Sequence, residues 1–185
     1  MNAIALAENL VEFRPLFYED PVQIDSIKSQ GDIAKRTTLP VANGERMHTI
    51  WEFRELLESG GSQYIRPDLG LGGGITHVKK IAAIGESYHS ALVTHNFLGP
   101  VVTAAACAVD TSIPNFLTQE YSKVDEAPSN AMFTSAWQRD GGFLNVPDEV
   151  GIGVAVDYAA LEALPYESRT LNVPIRVDGS VGYSV

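Results

Sequence analysis

Five short apolar stretches in residues 16–120 are each followed by an ionisable residue, and these residues recur at a nearly constant interval. They lie 23 to 27 positions apart and are, in order, Glu19, Glu45, Asp68, His95 and Glu120. One strand, one helix and two turns take about that many residues, because a (β/α)₈ barrel spends roughly 250 residues on eight such units. The interval therefore predicts an α/β chain built from repeated strand–helix units.

The stretch of residues 63–76 shows the repeated unit clearly. It reads QYIRPDLGLGGGIT, with an apolar strand, then Asp68, a glycine-rich turn at Gly70–Gly74, and a helix start. The carboxyl ends of parallel strands meet at one edge of a sheet, where such folds bind ligands. We therefore expect the five ionisable residues to share one site. The alternative left open is that they are solvated surface residues.

Composition narrows the class of partner. The formal net charge of −10 argues against nucleic acid or an anionic membrane surface as the main partner. Cys107 is the only cysteine, so no internal disulfide is expected and a reducing cytoplasm is the default location. No apolar run is long enough to cross a bilayer. We expect a cytoplasmic protein that acts on a small molecule.

The residue types at the predicted site indicate acid–base chemistry beside a metal ion. Glu19 and Glu45 offer hard oxygen ligands from neighbouring strand ends, and these suit Mg²⁺. Asp68 and His95 follow successive strands, and a carboxylate beside an imidazole fixes its tautomer and raises its basicity. A histidine at such a position is otherwise a structural residue.

Two further residues complete the predicted site. Glu120 is expected to contact a substrate oxygen or carry a proton, although it also fits a loop acid. Arg46, next to Glu45, either binds an anionic substrate or neutralises the acidic residues. Together these groups suit removal of a proton next to a carboxylate. Reprotonation would make the protein a racemase, and loss of a β-hydroxyl would make it a dehydratase.

Five motifs, in this order and spacing, resemble the mandelate racemase and muconate lactonizing branch of the enolase superfamily, and within it the galactonate dehydratase-like acid-sugar dehydratases. The motifs are FYEDP, ANGER, YIRPDLGLGGGIT, VTHNFLGP and IPNFLTQEY. The resemblance implies Mg²⁺-dependent dehydration of a sugar acid. A racemase or cycloisomerase of the same branch and a non-catalytic structural or binding protein remain as alternatives.

The resemblance also implies a role for each site residue. Glu19 and Glu45 match the Mg²⁺ ligands, and Asp68 and His95 match the catalytic dyad with His95 as general base. Glu120 matches an acid that contacts the substrate or the intermediate. The remaining match is Arg46, which belongs to the GER motif and is assigned to substrate binding.

The fold implied is the C-terminal part of a (β/α)₈ TIM-type barrel, about strands four to eight, incomplete and followed by an irregular segment. We expect a partial barrel in residues 1–122 and a segment in residues 123–185 that packs on a capping domain. The family's third metal ligand and its general-acid histidine belong to earlier strands. We therefore expect this chain to be inactive alone and to associate with itself or with a missing N-terminal half.

Overall fold

The computed structural model describes residues 2–24, 26–127, 130–166, 168 and 173–182. Four short parallel strands form its main sheet, and they are neighbours in the order in which they occur along the chain. The register pairs Glu19 with Ala42, Asn43 with Ile65, and Ile65 with Leu92, so the strands end at one edge. The strands are β1 (Tyr18–Glu19), β2 (Val41–Asn43), β3 (Tyr64–Ile65) and β4 (Ala91–Leu92).

Helices connect these strands, because parallel strands that follow one another in the chain need a long crossover connection. The helices between and beside the strands are α1 (Asn2–Leu10), α2 (Ile27–Ala34), α3 (Ile50–Glu58), α4 (Gly74–Ser87) and α5 (Pro100–Asp110). Neighbouring helices contact one another in chain order from α2 to α5. The α/β prediction with parallel strands is therefore confirmed, while the described residues form no closed barrel.

Local sequence signals position two of these helices. Thr49 accepts a hydrogen bond from the Glu52 backbone, and the Glu52 carboxylate accepts one from the Thr49 backbone, so the predicted capping box opens α3. Pro100 occupies the first turn of α5, where its missing N–H has no cost. Both helices consequently begin where the sequence predicts.

The main core lies between the sheet and helices α3 and α4. It consists of apolar side chains that are almost completely buried. Such burial stabilises a fold by about 25 cal/mol for each Å² of apolar surface removed from water. The helices are thereby fixed against the strands whose ends carry the site. The buried members of this cluster are Met47, Phe53, Leu56, Leu57, Ile65, Ile81, Ala82 and Leu92.

The fifth predicted strand is reduced to a single bridge. The apolar stretch before Glu120 predicts a strand at residues 115–118, but among the described residues only Phe116 of this stretch pairs with Leu92, in the parallel direction. Two backbone hydrogen bonds support this bridge, from Leu92 N–H to the Asn115 carbonyl at 2.8 Å and from Leu117 N–H to the Leu92 carbonyl at 3.0 Å. Residues 115–118 still lie beside β4, in the position that a fifth strand of the sheet would take. Glu120 therefore lies at the same edge as the other site residues. The numbering of the strands as four to eight of a barrel remains a prediction.

The described C-terminal part contains two small antiparallel pairs of strands, one of which contacts α5. The apolar residues Val154 and Val156 and the run 173–177 both predict short strands. The first of these predictions is confirmed, whereas the second run is present only as a bridge between Ile175 and Val181. Packing against a capping domain, and the boundary between residues 122 and 123, remain predictions. The elements are β5 (Phe133–Ser135), β6 (Gln138–Asp140), β7 (Phe143–Asn145), β8 (Val154–Val156) and α6 (Tyr158–Glu162).

Within the described ranges, no helix combines the length and the apolar character needed to cross a membrane.

Gly44 allows the turn that follows β2, and replacing it tests how tightly this turn is packed. The φ of Gly44 is +140°, and a Cβ there would lie 2.7 Å from the Phe53 ring and 3.0 Å from the backbone nitrogen of Arg66. We expect Gly44→Ala to lower the free energy of unfolding by about 2–4 kcal/mol, from backbone strain and overpacking together. Urea unfolding measures this loss.

Gly142→Ala is the matched control, because no atom lies within 4 Å of its added Cβ and its φ is not in the left-handed region. Its stability should stay within about 0.5 kcal/mol of the parent chain. Equal stabilities for the two variants would show that the Gly44 turn can relax without cost.

Candidate active site

The pairing of β3 with β4 continues beyond the strands to Asp68 and His95. These two residues form a parallel bridge, and the His95 N–H donates to the Pro67 carbonyl at 3.1 Å. The two side chains thereby meet, and the His95 Nδ1–H donates to Asp68 Oδ2 at 2.9 Å. Both side chains are nearly inaccessible to solvent. The structure therefore brings the predicted dyad together.

The glycine-rich turn fixes the other oxygen of Asp68. The Leu71 N–H donates to Asp68 Oδ1 at 2.9 Å, and the Gly72 N–H donates to the Asp68 carbonyl at 2.7 Å. A Cβ on Gly72 would lie 2.6 Å from that carbonyl oxygen, so only glycine allows this close approach. Burial alone would raise the pKa of Asp68, but hydrogen bonds from His95 and Leu71 outweigh it and the pKa is lowered. Asp68 is consequently ionised at neutral pH.

The second nitrogen of His95 faces the next carboxylate of the site. His95 Nε2 lies 3.3 Å from Glu45 Oε2. Burial alone would lower the pKa of His95, but the hydrogen bond to Asp68 and the negative charges of Glu45 and Glu120 raise it above the ordinary value. Nδ1 is occupied by Asp68, so Nε2 is the atom that can exchange a proton with a substrate.

Arg66 joins the two outer acids, and the sequence interpretation did not include it. Its guanidinium forms an ion pair with Glu19 and a second one with Glu120 Oε2, at 2.6 Å. The Arg66 side chain is only 4% exposed and lies over the Phe17 ring. Arg66 lies two residues before Asp68 in an extended segment, so the alternation of side chains was a signal for it.

Asp20 is the second residue that the sequence interpretation missed. Burial is the largest cause that raises its pKa to about 6, and the negative charges of Glu45 and Glu19 add to the effect. Its Oδ1 is buried and has no hydrogen-bond partner among the described residues. The pKa of Glu19 is also raised, first by burial and then by Glu45 and Glu120, against the opposing effect of Arg66.

Glu120 is held by its neighbours on the fourth strand's extension. The Asn96 N–H donates to Glu120 Oε2 at 3.0 Å, and the Asn96 side chain donates to the Glu120 carbonyl at 3.3 Å. Asn96 itself is fully buried. Glu120 therefore lies at the shared edge, as expected, with its carboxylate divided between Arg66 and this backbone N–H.

Arg46 lies at the rim of the site. Its Nε is 3.3 Å from Glu45 Oε1, and its Nη1 donates to Gln23 Oε1 at 3.3 Å. The side chain is 40% exposed. This arrangement matches the expectation that Arg46 offsets acidic charge, and it leaves part of the guanidinium open to an anionic ligand.

The site fits a divalent cation in donor chemistry, and the proposed protein ligands are two carboxylates. Glu19 and Glu45 are carboxylates that raise one another's free energy by repulsion, and a hard cation relieves such repulsion. Over the residues that the structure describes, no group of three or more histidine, cysteine or acidic side chains is arranged to hold a metal ion. Two protein carboxylates are within the range that Mg²⁺ uses when water and substrate supply its other ligands.

The contacts define one acidic edge with two cationic groups inside it. Glu19, Arg66 and Glu120 form one connected set, and Glu45, His95 and Asp68 form another. The two sets act on one another through the charges of Glu45 and Glu120. This arrangement can bind a cation, bind an anion and exchange a proton at His95 Nε2.

The family comparison agrees with this geometry. Residues 1–160 match the family described as enolase C-terminal domain-like. The chain belongs to this family. It is 36% identical over 187 residues to D-galactonate dehydratase from Ralstonia pickettii, covering 97% of this chain and 49% of that relative. It is 37% identical over 158 residues to D-galactonate dehydratase from Variovorax paradoxus, covering 82% and 41%.

Solved structures of the enolase superfamily share the fold. An enolase from Agrobacterium radiobacter, with bound Na and L-malate, superposes with a TM-score of 0.89 at 29% identity and covers 98% of this chain and 50% of that one. A mandelate racemase/muconate lactonizing enzyme-like protein from Roseovarius has a TM-score of 0.86 at 34% identity, with 98% and 45% covered. This enolase-family chain spans about half the length of the relatives that it matches.

Replacing Arg66 tests how much its positive charge contributes to the stability of the site. We expect Arg66→Met to lower the free energy of unfolding by about 1–3 kcal/mol, because two partly buried carboxylates lose their shared counter-charge. Urea unfolding at neutral pH measures the loss.

The matched control is Arg54→Met, which breaks an exposed ion pair with Glu58 one helical turn away. Such pairs contribute about 0.3–0.5 kcal/mol. The importance of Arg66 would be disproved by losses of the same size in the two variants.

The pKa of His95 should fall when its partner loses its charge. Charged His95 is stabilised in the folded protein, so this contribution is complete below the unfolded pKa of about 6.5 and is lost as pH rises through the higher folded pKa. In Asp68→Asn the folded pKa should be lower, measured from the ring ¹H–¹³C signals in a pH titration. An unchanged His95 curve would contradict the assigned hydrogen bond.

Proposed function

We propose that this enolase-family chain takes part in the Mg²⁺-dependent dehydration of a sugar acid of the galactonate type. The observation that carries the proposal is the His95–Asp68 pair at the strand-end edge, with Glu45 at the second nitrogen of His95. The similarity to D-galactonate dehydratases over 97% of the chain supports the substrate class. L-Malate, bound by the structurally similar enolase, is likewise a hydroxy acid.

In this proposal His95 is the general base. Its Nε2 removes the proton next to the substrate carboxylate, while ionised Asp68 holds Nδ1–H and stabilises the imidazolium that forms. The electron pair of the broken C–H bond forms a carbon–carbon double bond as the β-hydroxyl leaves, and the general acid that the N-terminal half would supply donates the proton that turns it into water. His95 then returns the proton that it removed to solvent, and the general acid takes one up from solvent. The enol product then rearranges to a 2-keto-3-deoxy acid, so the net change is loss of one water.

The other side chains bind and orient. Glu19 and Glu45 would hold Mg²⁺, whose positive charge, when bound, favours the negative charge that develops on the substrate carboxylate. Arg46 has part of its guanidinium open to solvent and is the substrate-binding cation at the rim. The proposed contact of Glu120 is with a substrate hydroxyl, and its position is set by Arg66 and Asn96.

We also propose that the chain functions in association, either with a second copy or with a chain that supplies the N-terminal half of such enzymes. The half-length match to the relatives supports this. So do Phe13 and Leu16, which are 71% and 54% exposed just before β1. Alone, residues 1–185 would be inactive.

The activity test mixes this chain with the part of the Ralstonia pickettii D-galactonate dehydratase that it does not cover. We expect the mixture, with D-galactonate and Mg²⁺, to form a 2-keto-3-deoxy acid, while either part alone forms none. His95→Asn should lower this rate by at least about 10²-fold, the usual contribution of a general base. His89→Asn is the control and should leave the rate unchanged. A mixture that turns over equally well with His95→Asn would refute the assignment.

Two alternatives have their own readouts. In D₂O, exchange of the proton next to the carboxylate without loss of water would favour a racemase or cycloisomerase. The scarcity of metal ligands among the described residues favours a non-catalytic binding protein. Calorimetric titration with Mg²⁺ separates that alternative: binding that disappears in Glu45→Gln but persists in Glu86→Gln supports the proposed metal site, and an absence of binding supports the non-catalytic one.

A further inference from the structure

A buried polar cluster lies directly behind the site and consists of Thr94, Asp110 and Gln119. Thr94 is fully buried and Asp110 is 4% exposed. Thr94 precedes His95 in the chain, and Gln119 precedes Glu120. Whatever holds Thr94 and Gln119 therefore holds the backbone of two residues of the proposed site.

The hydroxyl of Thr94 makes two short contacts. Its Oγ1 lies 2.9 Å from Asp110 Oδ2 and 2.6 Å from Gln119 Oε1. A threonine hydroxyl has one proton, whereas an ionised carboxylate and an amide oxygen are both acceptors. If Asp110 were ionised, one of the two contacts would consequently bring two oxygens together without a proton between them.

The orientation of the Gln119 amide is fixed by its other contacts. Its Nε2 donates to the Glu120 carbonyl at 2.6 Å and to the Thr94 carbonyl at 3.4 Å. The opposite orientation would place the amide oxygen 2.6 Å from a carbonyl oxygen, and no proton would separate them. Gln119 Oε1 is therefore the acceptor of the Thr94 proton.

The second proton must come from Asp110. We propose that Asp110 is held as a neutral carboxylic acid that donates its proton to Thr94 Oγ1 and acts as a positioning residue for His95 and Glu120. The chain of donation then runs from Asp110 to Thr94 to Gln119, and from Gln119 to the Glu120 carbonyl. The catalytic roles of His95 and Glu120 rest on the proposed function. The direction of the hydrogen bonds from Asp110 to Thr94 and on to Gln119 does not depend on it.

The surroundings of Asp110 disfavour its charged form. It is the last residue of α5, where the helix dipole repels negative charge. Its Oδ1 is buried and, among the described residues, has no hydrogen-bond partner. Burial raises the pKa of Asp110 to about 7, against the opposing hydrogen bond from Thr94. The free-energy cost of burial at such a position is smaller for a neutral carboxylic acid than for a carboxylate.

The titratable groups nearby do not supply a counter-charge. The Cys107 thiol, one turn earlier on α5, has its pKa raised to about 12, first by burial and then by Asp110 and Asp125, so it is neutral. Across a cavity of about 410 Å³ that Asp110 also lines are Tyr121 and Arg139. Arg139 is paired with Glu126 at 3.0 Å. The neutral form of Asp110 consequently has no competing ion pair on these elements.

Infrared difference spectroscopy tests the protonation state directly. The carbonyl stretch of a neutral carboxyl group should be present in the full chain at pH about 5.5 and should decrease with a midpoint near the raised folded pKa. Part of this band should be missing from the Asp110→Asn variant, whereas the contribution of Asp20, whose pKa is raised to about 6, is present in both proteins and cancels in the difference between them. A carboxyl band that is identical in the two proteins at every pH would overturn the proposal.

The pH dependence of stability gives an independent test. Folded Asp110 keeps its proton at pH values where the unfolded residue, with its pKa of about 3.9, has lost it, so stability falls as pH rises from that value through the folded pKa. Asp110→Asn keeps a donor toward Thr94 but does not titrate. Between pH about 5 and 8, the Tm of the parent should fall by at least about 4 °C relative to this variant. Parallel Tm curves would contradict a proton held by Asp110.

The positioning role needs a readout other than stability. The backbone amide NMR signals of His95 and Glu120 should move in Asp110→Leu, which has no donor, and should keep their parent positions in Asp110→Asn. Should the leucine variant not fold, a larger pH-dependent displacement of both signals in the parent than in Asp110→Asn, where the titration of His95 itself remains, supports the role. The role would be overturned if Asp110→Leu left both signals in place, or if the pH-dependent displacements of the parent and Asp110→Asn were equal. None of these measurements requires turnover, so failure of the dehydratase proposal would not be mistaken for failure of this one.

Discussion

The site depends on the register of four short parallel strands, which aligns their carboxyl ends. Each strand ends at the same edge, and the pairing of the last two continues for three residues to join Asp68 to His95. Backbone hydrogen bonds set this alignment, so the side chains at the edge meet without long or adaptable loops. A shift of one residue in any strand would turn its ionisable group to the opposite face of the sheet.

Gathering carboxylates at one edge has an electrostatic cost, and the structure offsets it with groups of different kinds. Arg66 contributes a permanent positive charge between Glu19 and Glu120. His95 contributes a titratable charge between Asp68 and Glu45. The pKa of Asp20 rises to about 6 through burial and the charges of Glu45 and Glu19, which outweigh the opposing charges of Arg46 and Arg66. The remaining repulsion between Glu19 and Glu45 is the feature that a bound divalent cation would relieve.

The same physical rule explains why Asp110, behind this edge, is neutral and Asp68, at the edge, is charged. A buried carboxyl group remains ionised only where hydrogen bonds or opposite charges compensate the loss of water, as they do at Asp68. At Asp110 burial outweighs the other causes and raises the pKa to about 7, and in the proposed arrangement the neutral acid donates to Thr94. The two carboxyl groups thus reach opposite protonation states although both are almost fully buried.

The amino-acid sequence by itself determined the strand–helix order, the start of α3 at its capping box, and the five residues that follow the strands, because these depend on local periodicity and spacing. It overestimated the fifth strand, since only Phe116 finds a backbone partner there. Tertiary structure alone decided the importance of Arg66, Asp20 and Asp110. The φ of +38° at Asp20 changes the direction of the chain directly after Glu19. Asp110, the last residue of α5, contacts Thr94, which lies 16 residues earlier in the chain. Charge balance and proton count are properties of such contacts between distant residues, and no local pattern specifies them.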